Sequence, residues 1–399
     1  MAVTTPNPSR VSASEQPSLL YRAEVRQVIY QVLLIVGLVS AGWWLVNNVA
    51  ENLQRQNIAS GFDFLGRTSG FDISQSLIPY SNTSTYGRAF WVGLLNTLLV
   101  AAIGIFFATV IGFIMGIARL SSNWLIAKLA ALYVEVVRNL PLLLQLLFWY
   151  FAVLKSLPAP RQSVALVGGG FLNVRGLYLP SPVPEPGFGA VLVAFGIGIL
   201  ASIGVYVWAR RRQMRTGQQF PVFWSSVGLI VGLPFLVHVV LGSPLHWEYP
   251  VLRGFNFQGG MVLQPEFLAL LLGLSFYTAS FIAEIVRAGI LGVPKGQKEA
   301  AKALGLTDRQ MLRLVVIPQA ARIIIPPLTS QYLNLTKNSS LAVAIGYPDF
   351  VSVFTGTVLN QTGQAVEIIL MTMGVYLTIS LLTSAFMNWF NSRMALVER

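Results

Sequence analysis

The chain has no cysteine. Disulfides, thiol catalysis and cysteine-held zinc or iron–sulfur centres are therefore excluded. Histidine is almost absent: only His238 and His246 occur, too little for a histidine metal cluster. His238, alone in the apolar run LVHVV, is read as a structural residue. Charge is scarce as well. Only 11% of the 399 residues are charged, against about 25% in ordinary soluble domains. No basic run interleaved with aromatics suggests a nucleic-acid reader. No paired-carboxylate, Ser–His or metal constellation emerges, which argues against a membrane enzyme. Nor does a G-x-x-x-x-G-K-[ST] loop occur, so the chain carries no recognisable phosphate cradle of its own.

What it has instead is apolar length. Hydrophobic residues make up 54% of the chain, and the mean hydropathy is +0.65. That composition describes a multi-span membrane protein. A bilayer core of about 30 Å needs about 20 apolar residues in a helix. Eight segments qualify: 28–46, 89–118, 131–154, 188–208, 222–241, 264–288, 320–346 and 365–390. The first follows a long polar stretch and reads as an uncleaved signal anchor. Lys and Arg set the orientation. With both termini cytoplasmic, 18 basic residues fall inside and 7 outside. Tryptophans such as Trp43, Trp91, Trp208 and Trp224 fall near span ends, the level that indole rings prefer.

Small residues recur every four positions in two spans: Gly104, Ala108, Gly112, Gly116, and Ala190, Ala194, Gly198, Ser202. Such stripes let helices approach closely where lipid offers no hydrophobic drive. The stretch between the third and sixth spans is rich in Gly and Pro. It reads as an inserted helical hairpin with irregular outer loops.

Polar residues inside spans are costly and therefore informative. Glu135 and Arg138, three apart on one helix face, open the third span. They read as a local ion pair or a gate, with Pro141 within a turn and Gln145 deeper. Glu284 and Arg287 repeat the spacing near the end of the sixth span, after Tyr277, Thr278 and Ser280. This group lines a polar path or joins helices. Lys337, Asn338, Ser339 and Ser340 are consecutive in the seventh span, so they point around the helix and cannot all hide on one face. Pro326 and Pro327 predict a bent or discontinuous helix there.

Between the sixth and seventh spans lies a polar hairpin. Glu299–Leu304 predicts a short helix kept slim by Ala300, Ala301 and Ala303. A slim helix suits a groove on another protein. A helix lying on headgroups would carry bulkier apolar residues. Gly305 is placed as a C′ glycine. Thr307 with Gln310 predicts a capping box, starting a second helix over Asp308–Ile317 that ends or bends at Pro318.

The run EAAKALGLTDRQMLRLVVIPQA resembles the cytoplasmic EAA motif of permease subunits of binding-protein-dependent ABC importers. EVVRNLPLLLQLLFWYF, YTASFIAEIVRAGI, VPKGQKEAAKALGL and LTKNSSLAVAIGYPDF, in that order, look like the polar amino-acid branch. The resemblance covers about 86–154 and 262–390. It implies an all-α integral membrane protein with a type I ABC importer permease core of two parts, 86–154 and 263–399. Segment 1–85 would add a cytoplasmic tail, an extra span and a periplasmic loop, and 155–262 the inserted hairpin. Both additions resemble the larger permeases of general L-amino-acid importers.

That resemblance also implies partners and roles. The segment at about 295–318 would be a coupling helix, with Glu299, Ala300, Ala301, Leu304 and Gly305 docking an ATPase. Two ATP-binding subunits would hold ATP and magnesium, and this chain no cofactor or metal. A homologous second permease would complete a heterodimer, and a periplasmic binding protein would deliver an amino acid across the bacterial inner membrane. Tyr277, Thr278, Glu284, Lys337, Asn338 and Gln145 are the candidates for the substrate path. Glu135, Arg138, Pro141 and Arg287 are gating or structural candidates. The rival reading is an ion-gradient-driven secondary transporter. It would show inverted repeats, and none stands out.

Overall fold

The computed structural model describes residues 23–55 and 60–394. The expected N-terminal tail and Arg399 lie outside the described residues. Seven helices among them are long and apolar enough to cross a membrane, and a pair bent by 107° would make an eighth if its two helices count as one span. In chain order they are α1 (Ala23–Arg55), α2 (Tyr86–Ala118), the bent pair α3 (Trp124–Asn139) and α4 (Leu142–Leu154), α5 (Phe188–Thr216) and α6 (Val222–Val240). Then come α7 (Pro265–Leu291), the short polar α8 (Lys295–Ala303), α9 (Asp308–Ile345), a short helical segment α10 (352–362) and α11 (Ala365–Met394).

Side-chain chemistry starts these helices where the backbone would otherwise leave donors unpaired. The Thr85 hydroxyl accepts from the Arg88 amide at 3.2 Å and opens α2. The Asn123 carboxamide accepts from the Leu125 and Ile126 amides at 3.0 and 3.3 Å and opens α3. Helix α1 buries none of its apolar window, as suits a helix surrounded by lipid.

The centre of the bundle is α2 lying along α7, with α9 packed on α7 and α11 on α9. The glycine stripe explains the close approach. A Cβ on Gly112 would lie 2.6 Å from Ile282 Cβ, and one on Gly116 would lie 2.7 Å from the Ala283 carbonyl oxygen. The same device joins the inserted hairpin, where a Cβ on Gly198 would lie 2.4 Å from the Leu229 carbonyl oxygen. Gly112→Ala is expected to cost about 1–3 kcal/mol, because a branched side chain and a backbone oxygen must both move. Gly104→Ala should cost less, since its nearest neighbour is the flexible Leu335 Cδ2 at 3.3 Å. Thermal unfolding in detergent, measured for both variants, checks the ranking.

Three expectations need correction. The third span is not one straight helix. It breaks between α3 and α4 with a bend of 107°. The cause is local: Leu140, held extended before Pro141 at φ −93° and ψ 133°, cannot continue the helix. The seventh span is not interrupted at Pro326 and Pro327; the helix continues through both, and its departure from α-helix comes later, as a 3-10 segment at Ser339–Ile345. Pro318 does not end the second helix of the hairpin either; a π-helical turn at Leu312–Val316 carries α9 past it. A π turn shifts each bond to an earlier carbonyl, which accommodates a residue that has no N–H.

The outer parts of the insertion are also more regular than expected. Strands β1 (Val164–Leu166), β2 (Gly170–Asn173), β3 (Gly176–Leu179) and β8 (Met261–Leu263) form a four-stranded antiparallel sheet. Two smaller pairs are β4 (Ser181–Pro184) with β5 (Leu245–Glu248), and β6 (Val251–Arg253) with β7 (Asn256–Gln258). Pairing of β3 with β8 and of β4 with β5 ties the start of the insertion to its end, and α5 and α6 leave from the same base. Phe257 stacks on Phe171 at 4.6 Å and packs on Tyr178 at 5.0 Å, giving the sheets a small core.

A second core closes the end of the bundle where the loop after α1 returns. Phe64, Tyr86, Phe350, Phe354 and Ile368 meet there and are buried. The segment between α9 and α11 turns inward, so that Asp349 and Phe350 are wholly inaccessible.

Candidate functional site

The polar hairpin leaves α7 at Leu291. Val293 is buried and anchors the turn, and Pro294 precedes α8. Gly305 has φ +75°, a conformation that costs glycine little. Its amide donates to the Lys302 carbonyl at 2.9 Å, and the Leu306 amide donates to the Ala301 carbonyl at 3.2 Å. These two bonds form a Schellman motif, which pairs the last carbonyls of the helix. The Thr307 hydroxyl accepts from the Gln310 amide at 3.3 Å, and the Gln310 side chain accepts from the Thr307 amide at 2.9 Å. Lys302 faces Asp308 across the turn at 3.6 Å. The hairpin is therefore a stiff element with both of its internal ends capped.

Its two faces differ. Ala301 is buried in the main core cluster, which also holds Met311 and Val316. Glu299, Ala300, Lys302, Ala303 and Leu304 are exposed, and Leu304 is 81% exposed. Ala301, grouped with the docking residues from sequence, thus faces the chain's own core and acts as a spacer that sets how close α8 lies.

Two turns before the hairpin lies an ion cluster. Glu284 pairs with Arg287 at 2.5 Å and also receives a hydrogen bond from Arg119 at the end of α2. Arg119 and Glu284 line a polar cavity of about 430 Å³ together with Glu135, Arg138, Asn139 and Phe281. Glu135 and Arg138 form no ion pair with each other among the described residues. The Arg138 guanidinium instead stands over the Phe281 ring at 5.0 Å. The cluster joins the ends of α2 and α7 where α7 passes into α8.

The remaining path candidates do not gather in this cavity. Gln145 is buried under the break in the third span. Its amide donates to the Val137 and Leu140 carbonyls at 2.9 and 3.0 Å. Those are carbonyls that the bend would leave without partners, and lipid cannot supply any. Gln145 also edges an apolar cavity of about 540 Å³ lined by Tyr133, Leu144, Phe148, Trp149 and Phe276. Thr278 is buried on α7, and Tyr277 packs its ring on Phe281 at 5.0 Å. On α9, Lys337 is exposed, Asn338 half-buried and Ser339 buried, so the four polar residues do point around the helix.

Sequence reasoning did not single out Arg119 or Asp349. Arg119 is one basic residue at a span end, and its carboxylate partner lies 165 positions away. Asp349 is the lone carboxylate between α9 and α11, a signal that was legible. It accepts from the Ser352 amide at 2.9 Å and from the Tyr376 hydroxyl at 3.2 Å.

Residues 108–396 match the family described as "Binding-protein-dependent transport system inner membrane component". The general L-amino acid transport system permease protein AapQ of Rhizobium johnstonii is 60% identical over 96% of this chain and 95% of its own length. The putative amino-acid ABC transporter permease protein YhdX of Escherichia coli is 56% identical over 94% of this chain and 95% of its own. The glutamate/glutamine/aspartate/asparagine transport system permease protein BztB of Rhodobacter capsulatus is 40% identical over 96% of both. These matches span the insertion and the first helix as well as the core. The multi-span bundle, its polar hairpin and these relatives place the chain in the binding-protein-dependent transport system inner membrane component family, among the amino-acid ABC transporter permeases.

Proposed function

We propose that this chain is one permease of an ATP-driven L-amino-acid importer, and that α8 couples it to an ATPase made by another chain. The observation that carries this reading is the exposed face of α8: a stiff, capped, polar helix ending in an exposed leucine. A shape of that kind suits a groove on a partner protein. The chain has no P-loop, so ATP and Mg²⁺ would bind in two partner subunits, and closure of those subunits would push on Glu299, Ala300 and Leu304. The push would pass through Val293 into α7 and through the Glu284 clamp into α2. A second, homologous permease would complete the translocation path, giving a heterodimer that alternates between inward-open and outward-open states.

On this reading both termini are cytoplasmic, and a substrate-loaded binding protein docks on the opposite side of the bilayer. Coupling is reciprocal in binding free energy, so a docked binding protein must favour ATPase closure as much as ATP favours the outward state. Because Glu284 is engaged by two arginines, its role shifts from substrate contact to inner clamp. Tyr277, Thr278, Lys337, Asn338 and Gln145 stay as path candidates, and Glu135 and Arg138 as inner gate residues beside Pro141.

The absence of cysteine supplies a clean test. Ala300→Cys and Ala303→Cys are expected to react with a membrane-impermeant maleimide in inside-out vesicles. A bound ATPase should protect them. Ala301→Cys, being buried, should react far more slowly. Labelling from the periplasmic side would overturn the orientation, and labelling unaffected by the ATPase would overturn the docking face. Uptake driven by an ion gradient without ATP would instead support a secondary transporter.

A further inference from the structure

The inserted hairpin carries a basic turn away from the polar hairpin and the Glu284 cluster. Helix α5 ends with Arg210, Arg211, Arg212 and Arg215, and no Asp or Glu occurs between Glu185 and Glu248. None of these four arginines is in a salt bridge among the described residues. Arg212 is held by its neighbours: it donates to the Gln218 side chain at 2.8 Å and stands over the Trp208 ring at 5.4 Å. Arg210 has no such partner.

Arg210 lines a polar cavity of about 380 Å³ at the α5–α6 turn, together with Gln213, Gln219, Tyr206 and Phe220. The turn is shaped by Gly217 at φ +69°, whose amide donates to the Gln213 carbonyl at 2.9 Å. A guanidinium, two carboxamides and a phenol are all able to donate to one anion. The surroundings say where that anion sits. Trp208, Phe223 and Trp224 are exposed at the same end of the hairpin, the level that aromatic rings take at the membrane interface. Leu200, Ile203 and Val207 are exposed along α5, so acyl chains below the cavity have an apolar surface to lie on.

We infer that the α5–α6 turn binds the headgroup of an anionic phospholipid, with the Arg210 guanidinium on the phosphodiester and Gln213 and Gln219 donating beside it. Basic pockets between membrane helices bind anionic headgroups in this way. A guanidinium also matches phosphate geometry by presenting two parallel N–H groups. The site would pin the insertion to one leaflet independently of which way the chain is oriented.

The test uses the full-length chain purified in an uncharged detergent, with phospholipid retention read by native mass spectrometry. Phosphatidylglycerol adducts should persist on the wild type where phosphatidylcholine adducts do not. Arg210→Gln should weaken phosphatidylglycerol retention about tenfold, the weight of one hydrogen bond to a charged group. Lys128→Gln, an exposed basic residue on α3, should leave retention unchanged. Arg210 is exposed and unpaired among the described residues, so its replacement leaves the fold intact, which unchanged thermal unfolding without lipid would confirm. Four results would overturn the inference: equal retention in Arg210→Gln, equal loss in Lys128→Gln, equal retention of phosphatidylcholine, or displacement by inorganic phosphate, which would assign the cavity to a free anion.

Discussion

Gly305→Pro is expected to reduce ATP-driven amino-acid uptake by about 5–150-fold, the usual span of a coupling free energy between two sites, while the chain still inserts in normal amounts. Gly305 stands at φ +75°, and proline is confined near φ −65°. The substitution also deletes the amide that donates to Lys302 and forces the chain away from the Leu306–Ala301 bond. Both bonds of the Schellman motif are then lost, and α8 frays at the end that carries Leu304. On the proposed reading, the lever loses stiffness where it would transmit force. Insertion is spared because the turn lies outside the apolar spans.

Gly305→Ala separates backbone strain from lost bonding. No atom lies within 4 Å of a Cβ at this position, so alanine meets only the cost of the left-handed conformation, about 1–2 kcal/mol. Its uptake defect should be smaller than that of proline. The measurement is radiolabelled amino-acid uptake in vesicles, alongside ATP hydrolysis by the copurified complex. Uptake at the wild-type level in Gly305→Pro would sink the lever assignment. Loss of uptake with continued hydrolysis would place the defect in coupling itself.

The second large effect concerns stability. Asp349→Ala is expected to cost about 3 kcal/mol, because it removes the acceptor of the Ser352 amide and the Tyr376 hydroxyl at a fully buried position, each loss costing about 1–3 kcal/mol. Asp349 is wholly buried. Burial disfavours the carboxylate and pushes its pKa up to about 7, against the partial relief of its hydrogen bonds. An unfolded aspartate titrates near pH 3.9. Between those two values the folded chain holds a proton that the unfolded chain has released. Stability from this group is therefore fullest below about pH 4 and declines as pH rises through about 7.

Asp349→Asn should remove that decline. The carboxamide oxygen still accepts from Ser352, and its amine donates to the Tyr376 oxygen. Thermal unfolding between pH 4 and 8, followed by tryptophan fluorescence, reads both effects. A wild-type curve whose slope matches that of Asp349→Asn would show that other groups set the pH dependence.

How much of this was legible in the sequence varies by feature. The capped hairpin was readable because Gly305, Thr307 and Gln310 act on neighbours within five residues. The small-residue stripes were readable as packing faces, but not the partners they meet: Gly112 against Ile282, Gly198 against Leu229. Pro141 was visible, yet the 107° bend required knowing that Gln145 could pair the freed carbonyls. The strands at 164–184 and 245–263 were missed because runs of three or four residues are too short to show period-two alternation.

Taken alone, the sequence determined the membrane setting, the eight apolar segments, the polar hairpin and the lack of an ATP-binding loop. Composition and short-range chemistry encode all four, since a span, a cap or a motif is complete within its own stretch of chain. Only the tertiary structure decided that Glu284 belongs to Arg119 as well as Arg287, that Ala301 faces inward while Leu304 faces out, and that Asp349 is sealed from water. Each of these depends on residues far apart in the chain or on which side of a helix the bundle covers. A linear pattern does not specify that until the helices have packed.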